Sequence, residues 1–137
     1  MSIADADLER MAEDLFRAER DRTQIPLLSQ RFPEAGLKEA YRVQGALVKR
    51  KEAAGLTRKG WKIGLTSKAM QSALNITTPD SGVLFDDMFF SDGSRIPADR
   101  FIQPRVEAEI AFVMKAPLEG PGVTLFDGLN ATDSIVP

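Results

Sequence analysis

The sequence predicts an α+β protein, helical over residues 1–57 and strand-bearing over residues 58–137. Three observations predict it. Before Gly55 the apolar residues recur on a 3.6-residue period, and after Gly60 they alternate on a period of two. The charge balance changes at the same place: residues 1–60 carry 12 basic and 10 acidic side chains, residues 61–137 carry 6 and 10. Gly55 is also a natural helix stop at this change of period. A chain of 137 residues suits one domain with a real core.

The first helix rests on Leu8, Met11, Ala12, Leu15 and Phe16, an apolar stripe at i, i+3, i+4, i+7 and i+8. Ser2 or Asp5 is the expected cap, and Pro26 limits how far the helix runs. Gln24 to Pro33 reads as an irregular crossing. A second helix is expected from about Leu37 to Ala54, with Leu37, Ala40, Tyr41, Leu47 and Val48 on one face and Val43 at its margin. On this reading Tyr41 packs into the core, and Gln44 is an amide satisfied by neighbouring backbone. Lys49-Arg50-Lys51 is read as a solvated face that complements the helix dipole rather than as a phosphate site.

Beyond Gly60, Trp61, Ile63 and Leu65 alternate with Lys62, Gly64 and Thr66 as a short strand. Ser67 to Leu74 reads as a capped helix and Asn75 to Gly82 as turns. Val83 to Phe90 is apolar, and Ser91-Asp92-Gly93-Ser94 is a hairpin turn signal. The clearest strand is Arg105 to Met114. Lys115 to Val123 reads as a surface loop, and Thr124 caps a short helix through Leu129.

The chain has no histidine and no cysteine, which excludes thiol nucleophiles, disulfides, imidazole triads and Cys/His zinc sites. No apolar stretch approaches a membrane span, and the start carries Asp5, Asp7 and Glu9, unlike a secretory leader. A net charge of -2 argues against nucleic acid or an anionic membrane as partner. The expectation is a cytoplasmic protein whose chemistry runs on carboxylates, lysine, hydroxyls or a hard metal held by oxygen.

Glu107 and Glu109 are the informative pair. On a strand they share one face, with Val106, Ala108 and Ile110 on the other. Residues 111–114 (AFVM) continue without a polar residue, so both faces are expected to be covered. Paired carboxylates so placed call for a cation, and oxygen-only ligands suit Mg²⁺ or Mn²⁺; the alternative is a solvated sheet face. Lys62, in an apolar strand, is either an acid/base group in a pocket or a side chain reaching water from a strand edge. Asp80, after Pro79, is either a turn aspartate or a catalytic one. Asp86-Asp87 reads as a turn or salt-bridge element, since adjacent strand residues face opposite ways.

The stretches Gly60 to Gln71 (GWKIGLTSKAMQ), Leu84 to Phe90 (LFDDMFF) and Pro104 to Glu109 (PRVEAE) resemble the hydratase branch of the fumarylacetoacetate hydrolase superfamily. Asp92-Gly93-Ser94 and Thr124 to Asp133 (TLFDGLNATD) extend the likeness over nearly the whole chain. The resemblance implies N-terminal helices followed by a mixed β-roll, and a homo-oligomer. It matches Glu107 and Glu109 to two of three carboxylate ligands of Mg²⁺ or Mn²⁺. Lys62 matches a lysine lining the site, and Asp80 a pocket aspartate implicated in acid/base work. The implied reaction adds water to a small 2-oxo-alkenoic acid, giving a 4-hydroxy-2-oxo acid.

The likeness is to the N-terminal part of the family, with the third ligand and much of the β-roll matching nothing before Pro137. Gly128 and Ser134 stand where bulkier residues are usual. A fragment, a truncated reading frame and a chain completed by a partner are all consistent with this. Two other functions compete: a decarboxylase of 4-oxalocrotonate-type acids, and a non-catalytic remnant or interaction subunit.

Overall fold

A computed structural model describes residues 3–137, which fall into two compact units divided after Ile102. In the first unit, helix α1 spans Asp5–Asp21 and helix α3 spans Leu37–Ala53, with a single turn, α2 (Leu28–Arg31), between them. The core forms where Leu8, Met11 and Ala12 of α1 meet Val43 of α3, joined by Ile3. Leu15, Leu28, Phe32, Ala46 and Leu47 pack around it. The stripe read from α1 therefore faces the core as expected.

Four local expectations are corrected here. The α1 N-cap is Ala4, with no side-chain bond; Asp5 is already the first helical residue, and Ser2 lies outside the described residues. α2 lies in the stretch expected to be irregular. The inner face of α3 is shifted toward the margin of the expected stripe: Val48 is buried and Leu47 packs on the core as expected, but Val43 and Lys51 are buried too, whereas Leu37 is 61% and Tyr41 38% exposed. The shift follows from the helix's broken pattern, since Gln44 and Gly45 interrupt the apolar stripe. Lys51 is not part of a solvated face. Its ammonium reaches the Glu19 carboxylate of α1 at 2.6 Å and lies 5.1 Å from the centroid of the buried Phe85 ring.

Helix α3 ends as predicted, with Gly55 at φ 96°, a left-handed position glycine takes without steric cost. Strand β1 (Arg58–Gly64) follows, then α4 (Lys68–Leu74) and strand β2 (Asp80–Phe85). Ser67 caps α4 by accepting the Met70 N–H, as the capped reading required. β1 and β2 pair antiparallel, with Lys62 opposite Gly82 and Gly64 opposite Asp80. Asp80 to Gly82, expected in a turn, thus begin a strand, because β1 offers them a ladder. A 3₁₀ turn over Asp86–Met88 ends β2. Asp86 accepts the Thr57 N–H and Asp87 pairs with Arg100, the turn and salt-bridge roles expected of that pair.

The turn over Ser91 to Ser94 forms, with Gly93 at φ 72°, but no paired strands flank it, so it closes no hairpin.

In the second unit, strand β3 covers only Ala111–Met114, and residues 104–110 are irregular. The strand expected from Arg105 begins instead at Ala111, and β4 (Thr132–Val136) pairs antiparallel with Ala111–Met114. Both faces were expected to be covered; instead Val106 is fully exposed and Ile110 is 71% exposed. Helix α5 (Leu125–Ala131) starts at Thr124, whose hydroxyl accepts the Asp127 N–H while Asp127 accepts the Thr124 N–H at 2.8 Å. The result is a mixed helix-and-strand chain with two small open sheets. No helix of the described residues is long and apolar enough to cross a membrane.

Truncating Met11 to alanine, 2% exposed, is expected to cost about 2–5 kcal/mol. Leu37→Ala, on the face first expected to be buried, is expected to stay within about 0.5 kcal/mol; urea unfolding of both variants checks the assignment. The Thr57 N–H holds the Asp86 carboxyl below the usual carboxylate range, and Thr124 does the same for Asp127. A lowered native value stabilises the fold fully above the ordinary carboxylate range, and that contribution is lost as pH falls through the lowered value. Between neutral pH and about pH 3, Asp86→Asn is therefore expected to lose less melting temperature than the parent, followed by circular dichroism.

Candidate functional site

Paired residues on an antiparallel ladder share a face, as do i and i+2 on one strand. Lys62 and Gly64 of β1 and Gly82 and Asp80 of β2 therefore form one side of the hairpin. Two of these four carry charge and two carry no side chain at all. Lys62 and Asp80 are diagonal neighbours, a spacing of roughly 7–8 Å between strands, with glycine at the other two corners. The floor between ammonium and carboxylate is bare backbone.

Gly64 does more than leave room. A Cβ built on it would collide with Oδ1 of Asp80 and lie 3.3 Å from its Cγ. The Asp80 carboxylate thus occupies the volume that any other residue at 64 would fill. Immediately afterwards Leu65 takes φ 55°, a left-handed conformation uncommon for a leucine. Its carbonyl accepts a 2.7 Å bond from the buried Gln71 amide of α4, whose own oxygen accepts from Lys68. The chain's exit from β1 is fixed by that amide.

Helix α3 closes the other side. Leu37, Tyr41 and Gln44, with Lys62, Gly64 and Asp80, line a hollow of about 390 Å³. That volume is within the range of small-molecule sites, roughly 300–1,000 Å³. The Ser81 N–H donates to the Tyr41 hydroxyl at 3.1 Å, and the Gln44 amide donates to the Ser81 carbonyl at 2.9 Å. Gln44 satisfies backbone as expected. Tyr41 does not pack in the core; it stands at the mouth of the hollow, its oxygen taken by β2.

Glu107 and Glu109 lie in the irregular run of the second unit, exposed and two residues apart. Lys62, Glu107 and Glu109 each have interaction partners. An all-carboxylate donor pair fits a hard divalent cation in chemistry. In number it is incomplete: no group of three Asp or Glu residues able to hold an ion occurs among the described residues.

Of the residues the sequence singled out, Lys62 and Asp80 meet at the hollow and Glu107 and Glu109 lie in the second unit, while the places of Tyr41, Gln71 and Gly64 were not anticipated. Tyr41 and Gln44 carried a signal, since both put polar atoms on one helix stripe at i and i+3. Gln71 and Gly64 carried none, as their partners are set by the ladder and the turn.

No family model matches the chain. Among solved structures, the 4-oxalocrotonate decarboxylase of Pseudomonas putida G7 superposes with a TM-score of 0.91 at 37% identity, over 99% of this chain and 52% of that one. It was solved with calcium and acetate and with magnesium and adipate. In fold and sequence the chain resembles the N-terminal part of longer hydratases and 4-oxalocrotonate decarboxylases, as in the hydratase branch of the fumarylacetoacetate hydrolase superfamily. Within that branch it is 55% identical to the 2-oxo-hept-4-ene-1,7-dioate hydratase of Escherichia coli over 127 residues, 93% of this chain and 48% of the relative. The chain spans about half the length of the relatives it matches.

The collision at residue 64 yields a direct expectation. Gly64→Ala should displace the Asp80 carboxylate, a flexible group, and so cost only about 1 kcal/mol or less in thermal stability. The ¹³C resonance of the Asp80 carboxyl should move nonetheless. Gly60→Ala, where an added methyl meets nothing within 4 Å, should leave that resonance in place.

Proposed function

We propose that this chain is the N-terminal part of a divalent-metal-dependent hydratase that adds water to a 2-oxo-alkenoic diacid of the 2-oxohept-4-ene-1,7-dioate type. The observation that carries the proposal is the glycine-floored hollow with Lys62 and Asp80 at opposite corners. Support comes from the Escherichia coli hydratase at 55% identity and from a structural relative solved with magnesium and a dicarboxylate.

Hydration of the conjugated dienol form of such an acid needs one proton delivered to carbon at C5 and one taken from the water that adds at C4. A carboxylate and an ammonium on the same bare floor supply that pair, Asp80 and Lys62 exchanging protons at the distal end of the substrate. The apolar side of the hollow, from Leu37 and Ala40, suits the alkene carbons. Glu107 and Glu109 are the residues proposed to hold Mg²⁺ or Mn²⁺. When bound, such an ion supplies Lewis acidity toward the oxygens of a 2-oxo acid.

A second reading, decarboxylation of a 4-oxalocrotonate-type acid, is favoured by the structural likeness to the decarboxylase. Loss of the conjugated ultraviolet band without release of CO₂ supports hydration; loss with stoichiometric CO₂ supports decarboxylation.

With activity present, Lys62→Met and Asp80→Asn are each expected to lower kcat by about 10²–10⁴-fold. Glu107→Gln should abolish the rise in melting temperature that Mg²⁺ gives the parent chain. A parent that shows no such rise, with no turnover, overturns the proposal.

A further inference from the structure

We propose that Tyr41 and Gln44 are positioning residues for Asp80, acting as a surrogate third strand on the free edge of β2; the catalytic sense of this rests on the reading of Asp80 given above.

On an antiparallel edge strand, alternate residues point their N–H and C=O away from the partner strand. Ser81 is one of these, and both of its backbone groups are taken by α3: the N–H by the Tyr41 hydroxyl at 3.1 Å, the C=O by the Gln44 amide at 2.9 Å. A neighbouring strand would supply the same acceptor and donor from one residue's backbone. Here two side chains one helical turn apart supply them.

The consequence falls on Asp80. The Ser81 nitrogen belongs to the peptide plane that leaves Asp80, so the bond to Tyr41 fixes the rotation of that plane. From the opposite strand, the missing side chain at Gly64 leaves one space for the carboxylate. Asp80 is set by a hydrogen bond on its backbone and by a gap for its side chain. Without the clamp, β2 begins at a free end, where Asp80 is its first residue and terminal pairs fray.

The tyrosine oxygen accepts rather than donates in this contact. Phenylalanine at 41 therefore keeps the ring and removes only the acceptor; Gln44→Met keeps the length and removes only the donor.

The test needs no turnover. In the metal-free chain, Tyr41→Phe is expected to speed hydrogen exchange of the Ser81 amide by about tenfold and to move the ¹³C resonance of the Asp80 carboxyl at a fixed neutral pH. Gln44→Met should move the same two signals, and Gln44→Glu should not restore them, since a carboxylate donates no bond. Circular dichroism should match the parent throughout. Unchanged Ser81 exchange together with an unchanged Asp80 carboxyl resonance in both variants overturns the proposal, whether or not the chain is active. In an active preparation, Tyr41→Phe should lower kcat with KM held within about twofold, and the loss should vanish in an Asp80→Asn background. An equal loss in that background shows that Tyr41 acts on something other than Asp80, and also overturns it. Failure of the hydratase reading shows separately, as absence of turnover in the parent with the two NMR signals still responding.

Discussion

A two-stranded hairpin is marginal in water by itself, and every feature of the hollow is built on one. The β1–β2 ladder persists because helix α3 holds it at two places. At the end of β2 the Phe85 ring, 1% exposed, lies beneath the Lys51 ammonium, and Lys51 is in turn paired with Glu19 of α1. At the start of β2 the backbone of Ser81 is bound by Tyr41 and Gln44. A charge with 6% exposed side chain is costly unless paired and hydrogen-bonded. The pairing with Glu19 and the aromatic face answer that cost, and they tie two helices and a strand into one unit.

The sequence makes the elements of this unit readable where the pattern is repeated and local. Helix α1 carries a clean stripe of five apolar residues, and Gly55 and Thr124 announce a stop and a start by mechanisms confined to a few neighbours. Helix α3 is harder: Gln44 and Gly45 split its stripe, and only contact with α1 decides that Val43 faces inward while Tyr41 does not. The run from Arg105 shows the other limit. Its alternation is genuine, yet only Ala111–Met114 form a strand, where β4 pairs with them; alternation names candidates for a strand and pairing decides which residues become one.

The candidate site divides in the same way. Lys62, Asp80, Glu107 and Glu109 stand out because charge inside or beside apolar sequence is physically expensive and asks for a reason. Their arrangement is set by register, which no single residue reveals: Gly64 and Gly82 matter only because the ladder puts them opposite Asp80 and Lys62. The polar residues that support the hollow were legible as types and illegible as partners. A glutamine on a helix stripe can satisfy any nearby carbonyl, and the tertiary fold selects Ser81.

The shared volume at residues 64 and 80 couples the two positions in any redesign of the hollow. They behave as one steric unit with a fixed capacity, filled by an acid on one side and by hydrogen on the other. Exchanging the acid for serine would free space for alanine opposite, while lengthening it to glutamate would demand still more emptiness. Libraries that randomise the pair jointly keep the carboxylate's volume matched to the space opposite it, which single changes at either position shift.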